Sequence, residues 1–356
     1  MEKEESSQFK IKRKDVIWSV KLFTLFTILA FVFSISVYVV AFFFSQPESV
    51  SAVLISTAQA ATSEVDVVNE AIISTSDAAT SKVEFGARYI GPLYSVFFFN
   101  IIAIFVTSIG AGAITYSHRI VFKELILRSQ HPFYSKISCN MEKLSSPFFS
   151  FVQKVALHIY PDIKKYDVDE KNDSSNSIWK HCGYTGEDYR AIASVLPLIF
   201  PVMTLFLNGL IAGTILAFFV FNGILWGIQT AGFAGIVLGA DFAFIYYFAS
   251  ILPHGIIELP AIFIATSIAY RFSRIHSEEI IKGRLFEAEK EEDLKEDIRR
   301  IEDITGAYLR SRYLLKIFSI AIIMLHVAAY IEIRLTPKIA GYVIDLMGLL
   351  ISRTLI

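Results

Sequence analysis

Residues 191–270 read AIASVLPLIFPVMTLFLNGLIAGTILAFFVFNGILWGIQTAGFAGIVLGADFAFIYYFASILPHGIIELPAIFIATSIAY. These 80 residues contain no lysine or arginine, Asp241 and Glu258 are the only acids, and His254 is the only histidine. About 20 apolar residues suffice to cross the hydrocarbon of a bilayer. A run of this length therefore belongs in a membrane and must fold back on itself. Two full crossings leave apolar residues over, and four leave no room for turns. The pattern predicts two full spans with a partly inserted segment, Gly223–Gly239, between them. Broken helices are tolerated at membrane depth where protein or a water-filled cavity covers the backbone.

On either side the same signal recurs. Leu22–Pro47 and Gly91–Tyr116 carry no charged side chain, and Tyr313–Ile333 carries only Lys316, His326 and Glu332 as charged or histidine positions. Ile339–Ser352 is apolar but broken by Asp345, which suits an interfacial or re-entrant helix. The expected fold is all-α, a polytopic transmembrane helical bundle of five or six spans with a broken or re-entrant helix. Composition agrees. The chain of 356 residues is 54% hydrophobic and 19% charged, where soluble domains carry about 25% charge. It lacks the polar residues to cover a water-exposed surface, which excludes an ordinary soluble enzyme, a disordered chain and a disulfide scaffold. Its two cysteines, Cys139 and Cys182, allow at most one disulfide and have no zinc-site spacing. A formal net charge of −1 argues against a nucleic-acid partner, which needs clustered excess Lys and Arg. The first apolar run is too long for the h-region of a cleaved signal peptide and reads as an anchor.

Basic flanks give an orientation. Residues 1–21 carry six Lys/Arg against four Asp/Glu, whereas loop 45–89 carries six acids and only Lys82 and Arg88 as bases. Residues 117–190 carry eleven Lys/Arg, led by Arg119 and Lys123 beside the span. The expected layout is a cytoplasmic tail (1–21) and two spans joined by an external loop (22–116, loop 45–89). A cytoplasmic segment (117–190) follows, then the Gly-rich membrane core (191–270), a charged cytoplasmic segment (271–316) and C-terminal transmembrane and interfacial helices (317–356). Within 117–190, Phe148, Phe149, Phe151, Val152 and Val155 suggest an interfacial amphipathic helix. The sequon Asn172-Asp173-Ser174 would then face the cytoplasm and stay unmodified. Residues Ile275–Ile304 read as one long charged helix, with apolar residues recurring at helical intervals.

Ionisable groups within apolar spans are costly and normally face a bundle interior or cavity. Four stand out: Asp241, His254, Glu258 and Glu332. His254 and Glu258 are four apart and share a face if helical. Pro253, Gly255 and Pro260 flank them and predict a break in the helix, whose freed backbone groups the two side chains would satisfy or use to bind an ion or substrate. The pair alone gives too few ligands for a metal, so neither metal nor cofactor is expected. Zinc-peptidase, nucleophile-elbow and phosphate-loop motifs are absent from the sequence, and no catalytic activity is expected. Asn100 and Asn208 lie in apolar runs and are expected to hydrogen-bond across helices. Gly209 and Gly213 form a Gly-x-x-x-Gly pair that permits close helix packing.

The run Pro253-His254-Gly255-x-x-Glu258-Leu259-Pro260-Ala261 resembles the signature of the stage II sporulation protein M family. Asn100, Asn208-Gly209, and Ala328-Ala329-Tyr330-Ile331-Glu332 with Thr336-Pro337 are similar to other parts of that family's pattern. The resemblance covers 191–337 well and Gly91–Tyr116 loosely. It implies a multispanning scaffold that, in spore formers, recruits peptidoglycan-degrading partners to the septal membrane and is not itself the hydrolase. The expected function is a non-catalytic membrane scaffold or complex subunit in the cell membrane, with its N-terminus in the cytoplasm. Its expected surroundings are the lipid bilayer and protein partners or further copies of itself. The alternative is a transporter or channel component, proton-coupled through His254 and Glu258.

Overall fold

The computed structural model describes residues 8–44, 89–161, 177–287 and 290–354. Most of the external loop 45–89 and the whole sequon 172–174 lie outside them. All regular elements among the described residues are helical. We number the α-helices α1 (Arg13–Phe44), α2 (Pro92–Ala113), α3 (Ser117–Gln130), α4 (Pro132–Ile159), α5 (Gly186–Val195), α6 (Ile199–Ala231), α7 (Gly235–Lys282), α8 (Glu291–Leu309), α9 (Arg312–Arg334) and α10 (Thr336–Thr354). Among the described residues, four helical stretches are long and apolar enough to cross a membrane: Arg13–Phe42, Pro92–Gln130, Gly186–Lys282 and Arg312–Arg334.

Contacts divide the chain into two compact units. One comprises 17–104, 204–263 and 319–356 and holds most of the apolar sequence. Here α1 lies against α6 because Gly209 and Gly213 remove the side chains that would keep them apart. A Cβ at Gly209 would sit 2.8 Å from the Phe26 Cβ, and one at Gly213 would strike the Thr27 carbonyl. Further along, Tyr38 stacks on Phe221 at 5.2 Å and Ser34 hydrogen-bonds Thr214 at 3.2 Å.

Two expectations are corrected in this unit. Gly223–Gly239 is not a separate half-inserted segment. It is the closed end of a helical hairpin, where α6 ends, a single 3₁₀ turn at Gly232–Ala234 reverses the chain, and α7 begins. Gly232 takes φ +63° there, a conformation glycine adopts without steric cost. A Cβ at Gly227 would collide with the Gly235 carbonyl, so the arms meet backbone to backbone. The second correction concerns the Pro253–Pro260 region, where α7 runs unbroken through both prolines. Each proline removes one i→i−4 hydrogen bond, and a 48-residue helix packed by its neighbours tolerates two such losses.

The other unit comprises 1–16, 105–203 and 264–318. It holds most of the described charges around two large apolar cores and a small one. One large core gathers Phe122, Leu125, Trp179, Tyr189, Ile280 and Phe286 with their neighbours. In the other large core, Tyr308 stacks on Phe272 at 4.2 Å, meets Phe9 edge-on at 5.4 Å and donates its hydroxyl to the Ser108 carbonyl at 2.7 Å. Helix α5 starts on a capping box in which Thr185 accepts from the Asp188 amide and Asp188 from the Thr185 amide, satisfying two helix-end donors. Two buried arginines are paired: Arg128 with Glu124 and Glu142, and the fully buried Arg190 with Glu287. Cys139 and Cys182 are free thiols.

The single helix expected over Ile275–Ile304 is two helices. Helix α7 ends at Lys282, and α8 starts at Glu291. Between them Arg284 and Phe286 adopt φ 51° and 70°, left-handed values that cost free energy at residues other than glycine. What offsets the cost at Phe286 is local. Its amide donates to Asp297 at 2.7 Å and its ring packs on His118 and Tyr189 at 5.0 and 5.2 Å.

Candidate functional site

Among its described residues, the apolar unit gathers a mixed cluster of ionisable side chains. His254 and Glu258 stand one helical turn apart on α7, and Glu332 approaches from α9. A ligand atom of each lies within 4.8 Å of the others. Two further helices complete the knot. Thr336, the first residue of α10, places its hydroxyl 3.2 Å from His254 Nδ1. Asn100 of α2 hydrogen-bonds Glu258 through its side chain. Four helices therefore meet through five polar residues. All five are half-buried except Thr336, which is buried. Neither carboxylate forms an ion pair with a Lys or Arg among the described residues.

Pro253, Gly255 and Pro260 lie inside α7 beside the knot. Asp241 does not reach it. It is exposed on α7, 13 residues before His254 and so about 20 Å away along the helix axis. Asn208 differs from expectation too. It donates to the Thr204 carbonyl, 2.8 Å away in its own helix, because in an apolar run the i−4 carbonyl is the nearest acceptor. Gly209 and Gly213 serve the α1–α6 contact described above.

A second polar group went unread in the sequence. In the charged segments of the other unit, beyond the apolar runs, His118 of α3 and His276 of α7 stack at 5.9 Å with their rings 9° from parallel. His118 Nδ1 lies 2.6 Å from the Tyr189 hydroxyl. His118 Nε2 and both nitrogens of His276 have no hydrogen-bond partner. Burial pushes His118 down to about 4 and His276 well below the ordinary histidine range, the latter helped by His118. Both rings are therefore neutral at pH 7. A signal was present in the sequence: His276 stands four residues from both Phe272 and Ile280, on the face that these apolar residues mark as buried.

The sequence model of the Stage II sporulation protein M family matches residues 101–337, two thirds of the chain. The chain belongs to the stage II sporulation protein M family. The matched region of this family member contains His254, Glu258, Glu332 and Thr336, and it begins one residue after Asn100. No curated protein and no solved structure matches the chain. Family membership and the four apolar helical stretches make it an α-helical membrane protein.

Proposed function

We propose that this protein is a multispanning membrane scaffold that holds partner proteins, or further copies of itself, at the cell membrane and has no catalytic activity. The observation that carries this reading is the knot at His254. Five polar residues from four helices are spent on one another, Thr336 on His254, Asn100 on Glu258, Glu332 beside both. Interhelical polar contacts of this kind fix helix register within a bilayer.

In this reading the chain crosses the membrane five times, through α1, α2, both arms of the α6–α7 hairpin, and α9. The N-terminus and the charged segments 117–190 and 271–316 lie in the cytoplasm, following the basic flanks. Helix α4 lies along the inner leaflet. Phe133, Ile137, Met141, Leu144, Phe148 and Phe151 form an exposed stripe at spacings of three and four, and Lys136, Lys143 and Lys154 suit the anionic headgroups beside it.

Assembly in native membranes tests the proposal. Extracted in mild detergent, the chain migrates as a complex heavier than its own 40.1 kDa with its micelle, and Glu258→Gln releases it from that complex. An intact complex in the folded Glu258→Gln variant, with loss of an ion flux, would support the transporter reading instead.

A further inference from the structure

We propose that His254, Glu258 and Glu332 bind a divalent transition-metal cation, zinc being the best fit. The inference goes beyond the scaffold reading and stands without it, because it rests on the donor set and its surroundings.

Three features carry it. First, an imidazole and a carboxylate of α7 and a carboxylate of α9 place ligand atoms within 4.8 Å of one another, close enough for side-chain adjustments to bring all three onto one ion. Second, the charge is uncompensated. Two carboxylates stand within 4.8 Å of one another, and neither forms an ion pair with a Lys or Arg among the described residues. A divalent ion between them makes the site neutral, which an apolar environment favours. Third, the flanking residues hold the ligands in place. Thr336 engages His254 at Nδ1, which orients the ring and leaves Nε2 for the ion, and Asn100 holds the Glu258 carboxylate. Ligating histidines and carboxylates are commonly fixed by such outer hydrogen bonds.

The donor types choose the metal. Imidazole disfavours magnesium and calcium, which take oxygen ligands, and one nitrogen with two carboxylate oxygens suits zinc or a neighbouring transition metal. Three side chains leave a fourth tetrahedral position for water. The ion would clamp α7 to α9.

The test uses the full chain, purified in detergent, stripped with chelator and dialysed against zinc, with magnesium as the control. The expected result is about one zinc per chain by elemental analysis. At zinc about 100-fold above the dissociation constant, the melting midpoint rises by about 5 °C. Magnesium gives neither. Glu332→Gln and His254→Ala lose the bound zinc, while Glu332→His, which keeps a ligand, retains it. Thr336→Val weakens zinc binding about tenfold by freeing the ring. Because Glu332→His and Thr336→Val keep most of the packing, the test survives misfolding of the other two variants. Three results overturn the proposal. One is less than about a tenth of a zinc per chain in the wild type. Another is zinc binding that Glu332→Gln and His254→Ala leave unchanged. The third is a melting midpoint that follows pH and ignores zinc, which would mean that the carboxylates share a proton instead.

Discussion

Histidine is half-buried in one unit of the molecule and fully buried in the other, and the two treat it in opposite ways. In the apolar unit His254 is tied to Thr336 and stands beside two carboxylates, one of them held by Asn100. In the charged unit His118 has Tyr189 alone, and His276 has no hydrogen-bond partner at either nitrogen. The first arrangement is suited to holding a metal cation. The second makes positive charge expensive, so that both rings act as flat apolar surfaces against Phe286 and Phe272. The lesson concerns histidine in general: its partners together with its burial decide whether it is a site or packing.

Acid tests this contrast with the largest effect. The folded-state pKa of His118 lies below its unfolded value of about 6.5, so the unfolded chain takes up its proton first. The contribution to stability is complete above pH 6.5 and is lost as pH falls towards about 4. For His118 alone that loss amounts to about 3 kcal/mol, and His276 adds to it in the same direction. Chemical unfolding followed between pH 7 and pH 4 measures it, and His118→Phe should flatten the curve. A stability that is level down to pH 4 would mean that these histidines are solvated.

Single substitutions sharpen the comparison. Tyr189→Phe strands His118 Nδ1 in a buried site and should cost about 2 kcal/mol in denaturant unfolding. His254→Phe should cost a similar amount, because it leaves the buried Thr336 hydroxyl without its partner. His276→Phe should stay within about 1 kcal/mol of wild type or gain stability, since it removes two unsatisfied nitrogens and keeps a flat ring. If His276→Phe destabilises as much as His254→Phe, the two clusters are alike and the contrast fails. The smallest effect concerns α4. A nitroxide at Phe148 in bilayers should be relaxed more by oxygen than by a water-soluble nickel chelate, and the reverse order would place that face in water.

Much of this was legible in the sequence, for reasons that are local. Eighty residues without Lys or Arg can only be membrane helix, and the four-residue step from His254 to Glu258 puts them on one face as soon as the segment is helical. What stayed hidden depended on partners distant in sequence. Gly227 and Gly235 close a hairpin only because each faces the other's backbone, and a count of glycines says nothing about what they face. Pro253 and Pro260 predict a break from the bonds that they remove, yet the rest of α7 holds the helix together. Asp241 and Glu332 look alike as isolated acids in apolar runs. Helix geometry brings Glu332 from a different helix into the knot and leaves Asp241 many turns away. Thr336 was visible as part of a Thr-Pro pattern, but its role needs α10 to begin beside His254. The turn at Gly283–Phe286 was concealed by the helical periodicity on either side of it.

The central claim is that the polar knot fastens helices and does not conduct. The most direct measurement is proton flux into proteoliposomes loaded with a pH-sensitive dye, under an imposed pH gradient, for wild type and folded Glu258→Gln. The account predicts that both acidify at the rate of protein-free vesicles. Acidification by the wild type well above that rate, abolished in Glu258→Gln, would contradict it.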